Sequence, residues 1–246
     1  MSDSTTMHLK PRENGPRGMS NGGFACGSFA GVVGGTGRVR LHDRVPVDVP
    51  LSVADGTPIT VSHGAKLLAT VEATAAFTLD PPVRPTMAEA ERARHGHPLR
   101  GVRHPLSNCV VCGPERHDGL RVTPGPLADH PEVLASPFVP TAAYAVDGIV
   151  RPAAVWGALD CPSYPAAALR TRRFCLLGSM RAHQVRPISV GEELVVVGWT
   201  TRQGSRSVHT ASAIIDRTGT VVASADAVWV ALRHQWLIRT MSWLRS

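Results

Sequence analysis

The sequence has no run of apolar residues near the roughly 18 needed to span a bilayer, so no integral membrane segment is expected. Its first twenty residues, "MSDSTTMHLKPRENGPRGMS", are polar and contain no apolar core of the kind a signal peptide needs. They read as a flexible tail, residues 1–20, on a cytoplasmic protein. Lysine is nearly absent: only Lys10 and Lys66 occur among 26 basic residues. Aromatics are 5% of the chain, and no basic run is interleaved with them. The net charge of +7 therefore does not point to nucleic acid, because a basic balance alone speaks to solubility and non-specific attraction. The same charge suits a small acidic ligand. The cysteine count is five, an odd number without an export signal, which argues against a disulfide framework and for free thiols or metal ligands in a reducing compartment.

Helical periodicity is scarce, and strand signals fill the space. "RVRLHDRVPVDVPLSV" from Arg38 alternates until the turn "ADGTP", and "ITVSHGAKLLATVEATAAF" from Ile59 reads as two strands around His63-Gly64. "EELVVVGWTTRQ", "SVHTASAIIDRTGT" and "VVASADAVWVALR" read as three long strands joined by short turns, an antiparallel meander. Between these blocks lies a stretch rich in Pro, His and Arg, with one helical candidate, "TMAEAERARHG", capped by Thr86 and stopped by Gly96. The C-terminal "HQWLIRTMSWLRS" reads as a segment docked on the protein's own sheet rather than on a membrane surface.

The chain also repeats. "ACGSFA" from Ala25 matches "DCPSYP" from Asp160, and "LHDRVPVDVPL" from Leu41 matches "AHQVRPISVGEEL" from Ala182, in the same order. Two copies of one α+β unit are implied: residues 21–128, with a long linker and a Cys-x-x-Cys loop, and residues 129–246. A short small-residue helix followed by a long antiparallel meander, twice in one chain, resembles the double hotdog fold. That resemblance implies two antiparallel sheets, or one continuous sheet, each wrapping a central helix.

The second half resembles the acyl-CoA thioesterase II group of hotdog proteins over roughly residues 150–233. The matching features are "VWGALD" ending at Asp160, the pair Arg186-Pro187, and "GTVVASADAVWVALR" from Gly219. In the first half "NGGF", Asn21 to Phe24, is similar to the Gly-Gly-aromatic opening of the first central helix in the wider thioesterase-like superfamily. "CVVCGPERHDGL" from Cys109 also looks like a hotdog-protein motif. Two features of the thioesterase II pattern depart here. Its hydroxyl residue before Arg-Pro has only the displaced Ser179 as counterpart, and Ala227, beside Asp226, stands where a glutamine is expected.

On this resemblance Asp160 is the candidate catalytic residue, a general base or a nucleophile toward a thioester carbonyl, placed at a helix start whose dipole would favour its anion. The plainer alternative is an N-cap, with Pro162 just inside the helix. Asn21, Gly22 and Gly23 are candidates for substrate binding, since amides at a glycine-rich helix start can hold an oxyanion; the alternative is a flexible join. Ser179 and His183 complete the candidate binding set. Cys161 could serve as a nucleophile only with an activating base, and its repeat partner Cys26 favours small buried hydrophobes at both positions.

His104, Cys109, Cys112 and His117 have the spacing of a zinc knuckle, so a structural zinc is a candidate at Cys109 and Cys112. A pair of packed thiols or a redox pair are the alternatives. No cofactor is expected for catalysis.

The function implied is hydrolysis of an acyl thioester on coenzyme A or an acyl carrier protein, in lipid or polyketide metabolism. Two alternatives stay open: a dehydratase or isomerase of acyl thioesters, which would use His183 with Asp160, and a non-catalytic acyl-thioester binding protein. A homodimer is a candidate assembly.

Overall fold

In a computed structural model of the protein the described residues are 4–102, 104, 106–114 and 116–233; the C-terminal segment expected to dock on the sheet lies outside them. Strand β1 (Ser4–His8) precedes helix α1 (Gly22–Ala30), then β2 (Gly37–Leu41), β3 (Pro50–Ala54), β4 (Ile59–His63) and β5 (Lys66–Ala73). Helix α2 (Met87–His95) follows, then β6 (Gly125–Pro126), β7 (Val133–Phe138), β8 (Ala145–Val146) and β9 (Ile149–Val150). The chain then forms α3 (Pro152–Asp160), α4 (Ala166–Arg170) and four strands of 9 to 11 residues. These are β10 (Cys175–Gln184), β11 (Leu194–Gln203), β12 (Ser207–Ile215) and β13 (Val221–Ala231).

All strands except β8 and β9 join one antiparallel sheet of 11, in the order β1-β3-β4-β5-β2-β10-β13-β12-β11-β7-β6. The two halves meet where β2 pairs with β10, Arg40 opposite Ser179 and Gly37 opposite Ala182. Backbone pairing thus runs unbroken from one half to the other. The β11–β13 meander is the one read from the sequence, and α2 is capped by Thr86 as expected, in a capping box with Glu89.

Two expectations fail in the first half. Residues 4–8 are no free tail but an edge strand paired with β3, and Glu13 is buried. The run from Arg38 is not one strand. It breaks after Leu41, Asp48 adopts a left-handed φ of 62°, and the chain resumes as β3 on the far side of β4 and β5. Pro46 and Pro50 offer no amide to a ladder, so alternation alone could not continue the pairing.

Helices α1 and α3 are apolar on all sides, as central helices must be, and they pack against each other within the main core. Their closest approach requires glycine. A Cβ on Gly27 would lie 2.7 Å from Ala153 Cα, and one on Gly157 would lie 2.5 Å from the Phe24 ring. The uninterrupted "LVVV" of β11 reflects burial on both faces. Leu194 and Val196 join the core around α1 and α3. Val195 and Val197 pack with Ala90 and Ala93 of α2 on the other side. Among the described residues no helix is long and apolar enough to cross a membrane.

Candidate active site

Asn21 caps α1: its Oδ1 accepts the Phe24 amide at 3.0 Å, satisfying one donor of the first helical turn. Helix α3 begins after Arg151 with Pro152 in its first turn, where the missing amide costs nothing. It ends at Asp160, not after it. The expectation that Asp160 opens a helix is therefore corrected. The proline that marks the helix start is Pro152, whereas Pro162 falls in the 3-10 turn that leaves the helix. The carboxylate sits at the negative end of its own helix, and that dipole disfavours the anion. The repeat register shifts accordingly. Both central helices run nine residues into a three-residue 3-10 turn, so Asp160 corresponds to Ala30 rather than to Ala25.

The end of α3 is held by side chains that the sequence did not single out. Ser212 Oγ donates to the Leu159 carbonyl at 2.8 Å and Ser163 Oγ to the Asp160 carbonyl at 2.7 Å. Trp229 Nε1 in turn donates to Ser163 Oγ at 3.1 Å. At the start of the helix Arg151 pairs with the buried Glu13 at 2.8 Å, and the Glu13 carbonyl accepts the Asn21 amide at 2.9 Å. One residue thereby links the N-terminal segment to the first turns of both central helices.

Asp160 and the Asn21–Gly23 segment meet. Asn21 Nδ2 donates to Asp160 Oδ2 at 2.9 Å, and the Gly23 backbone amide lies close enough to the carboxylate to lower its pKa. The start of one helix faces the end of the other so tightly that a Cβ on Gly23 would lie 2.5 Å from Asp160 Cβ and 2.6 Å from the Trp156 carbonyl. Gly22 is partly exposed; a Cβ there would lie 2.9 Å from Leu177 Cδ2 and 3.7 Å from Asp160 Oδ2. Asp160 is only 3% exposed, and its Oδ1 has no hydrogen-bond partner. Burial is the main cause that pushes its pKa up to about 7, with the Cys109 charge adding to it, while the Gly23 amide and Asn21 pull it down.

Ser179 and His183 do not join this site. A bulge between Leu177 and Ser179 shifts the alternation of β10, so that Leu177, Met180 and Ala182 pack with the central helices. Successive side chains of a strand point to opposite faces, which places Ser179, Arg181 and His183 on the other side of the sheet. There His183 Nδ1 contacts the Phe77 carbonyl at 2.8 Å, and the Arg181 guanidinium lies 4.0 Å from the Phe77 ring centre.

The Cys-x-x-Cys loop closes over the helix junction. Val110, Val111, Leu120 and Val122 are buried in the main core, and the Val110 amide donates to the Asn14 carbonyl at 2.8 Å. Cys109, Cys112 and Cys161 place their sulfurs within 4.8 Å of one another. Hydrogen bonds from the other two thiols, Cys112 first, hold Cys109 well below the usual thiol range. The bond to Cys109 is also the leading cause that raises both Cys112 and Cys161. Cys161, expected to be a packing residue like Cys26, belongs to this cluster instead. His104 and His117 do not; they line a cleft of about 310 Å³ with Arg94, His97, Arg100 and Arg121.

No protein-family model and no curated protein matches the chain. Among solved structures it is similar to the tesB protein of Mycobacterium avium subspecies paratuberculosis, with a TM-score of 0.59 over 93% of both chains at 10% identity. A protein described as a thioesterase superfamily protein matches at a TM-score of 0.44 and 20% identity, over 61% of this chain and 69% of its own. Zebra fish thioesterase superfamily member 2 matches at 0.40 and 14%, over 47% of this chain and 86% of its own. The full-length match shows that the chain shares the mixed α and β, hotdog-like fold of the tesB protein; it is a likeness of fold alone.

Proposed function

We propose that the chain is a double hotdog, with units at 21–128 and 129–246, that hydrolyses acyl thioesters carried on coenzyme A or an acyl carrier protein. The observation that carries the reading is the meeting of Asp160 from one half with Asn21 and the Gly23 amide from the other. Amides at a helix start supply donors aimed at a developing oxyanion, and a buried carboxylate beside them supplies a base. Neither half has both.

In this reading the thioester enters past Gly22 and Leu177, and its carbonyl oxygen accepts from the Gly23 amide beside Asp160. Asp160 accepts a proton from water as the oxygen bonds to the acyl carbon. The tetrahedral adduct collapses with cleavage of the C–S bond, and Asp160 returns the proton to the departing sulfur. The reaction draws on no cofactor, and a zinc ion at Cys109 and Cys112 is structural. The dehydratase reading loses support because His183 and Asp160 lie on opposite faces of the sheet. The binding-protein reading keeps one specific support: Ser179 faces away and Ala227 offers no amide, so a second polar group for the water is missing from these two positions.

The test is release of thiol from a series of acyl-CoA and acyl-carrier-protein substrates by the wild-type chain and by Asp160→Asn. Tight acyl-CoA binding without turnover by the wild type would favour the binding protein; full turnover by the variant would remove Asp160 from the chemistry.

A further inference from the structure

Three of the five cysteines converge from two distant parts of the chain. Packing alone does not ask for this, since a buried thiol behaves as a small hydrophobe and gains nothing from other thiols. We propose that Cys109, Cys112 and Cys161 bind a zinc ion through three thiolates, fastening the Cys109–Cys112 turn to the end of α3. The proposal is independent of the thioesterase reading.

The geometry of the loop supports it. The Val111 amide points to Cys109 Sγ at 3.4 Å, and the Gly113 amide donates to the Cys109 carbonyl at 2.9 Å. Gly113 has no room for a side chain: a Cβ would lie 2.5 Å from the Cys109 nitrogen and 2.6 Å from its oxygen. This turn folds the Cys109–Cys112 segment back on itself and brings the two sulfurs together. A tetrahedral zinc with Zn–S bonds of about 2.3 Å needs sulfurs about 3.8 Å apart, a small closure from the separations present.

Cys161 completes the trio because it immediately follows the last residue of α3. Around it the Asn21 side-chain amide lies 3.8 Å from Cys109 Sγ and 4.0 Å from Cys161 Sγ, a donor placed to orient thiolates as groups around metal ligands do. Asp160 lies outside the group whose ligand atoms converge, so a water molecule takes the fourth position. Binding releases the three thiol protons to solvent. The bound trio carries one net negative charge, because the zinc offsets two of its three thiolates.

The assignment differs from a Cys₂His₂ knuckle, so substitutions separate the two. The full-length chain is purified without chelator, incubated with zinc chloride, dialysed and analysed for metal. About one zinc per chain is expected, retained in His104→Ala, His117→Ala and Cys175→Ser, and reduced at least tenfold in Cys161→Ser and Cys112→Ser. If a variant fails to fold, cobalt(II) in the wild-type chain decides instead: a thiolate-to-cobalt charge-transfer band of three-sulfur intensity is expected, and its absence overturns the proposal. A wild-type chain that holds no zinc, full zinc in Cys161→Ser, or loss of zinc in either histidine variant also overturns it.

Discussion

Asn21 and Asp160, separated by 139 positions in sequence, are joined by one hydrogen bond of 2.9 Å in the core. The bond crosses from the cap of one central helix to the last residue of the other. It exists because three glycines let the helices touch and because Ser212, Ser163 and Trp229 hold the end of α3 in place. A carboxylate at the negative end of its own helix, almost out of water, is poorly placed for stability. The amides of the opposite helix offset part of that cost.

Asp160→Asn is expected to lower thioester turnover by about a hundredfold or more, the contribution of one general base, while leaving the melting temperature unchanged or raised. The amide removes a buried charge and can keep a polar atom facing Gly23 and Asn21. Turnover assays and thermal unfolding on the same preparation check both halves of the expectation. Near-wild-type turnover, or a melting temperature lowered by several degrees, contradicts it.

Gly23→Ala is expected to destabilise the protein by about 1–3 kcal/mol, the usual cost of overpacking, because the added carbon meets the Asp160 side chain and the Trp156 carbonyl. Gly31→Ala, with right-handed φ and ψ and nothing within 4 Å of the new carbon, is the matched control and should be neutral or slightly stabilising. Urea unfolding of the two variants makes the comparison. Equal midpoints would mean the helices move apart at little cost.

The sequence made part of this site legible. Asn21, Gly22, Gly23 and Asp160 stood out because glycine pairs and an isolated carboxylate in small apolar runs are rare local signals, and the repeat implied that the two halves share a site. What it hid was set by events that leave no local mark. Two prolines could each open a helix near Asp160, and only packing selects Pro152. A single bulge after Leu177 turns Ser179 and His183 to the far face. Cys161 lies about fifty residues from Cys109 and Cys112, so the histidines at knuckle spacing looked like better partners. The edge strand Ser4–His8 is too short and polar to announce itself, and its pairing comes from the open side of β3.

Arg151→Ala is expected to cost about 3 kcal/mol or more, because removing one partner of a buried pair leaves the other charge uncompensated. Here the Glu13 side chain is only 4% exposed. Adding Glu13→Gln to Arg151→Ala should recover much of the loss. A double variant no more stable than the single one would show that Arg151 acts through packing on Tyr144, over whose ring its guanidinium lies, and not through the charge.

The Arg186-Pro187 pair, part of the resemblance to thioesterase II, has a structural task here that gives a pH signature. Arg186 reaches both Glu192 and Asp216, tying the β10–β11 connection to the β12–β13 turn. Hydrogen bonds to Arg186 are the leading cause that lowers the Glu192 pKa. For Asp216 the first cause is the Thr218 hydroxyl, with Arg186 contributing last. A carboxylate whose folded pKa is lowered adds stability that is fully present above its ordinary value and is lost as pH falls through the folded one. Wild-type stability should therefore decline from about pH 5 to about pH 3, across the ordinary carboxylate range and below it. Arg186→Ala lets Glu192 return toward its ordinary value, so the variant should be less stable than wild type at neutral pH and should show a shallower acid decline. The difference in melting temperature between the two proteins should thus shrink as pH falls. Because both carboxylates are partly exposed, added salt should also shrink it at neutral pH. Melting curves at several pH values and two ionic strengths test this; a difference that stays constant in pH would mean that Arg186 contributes packing alone.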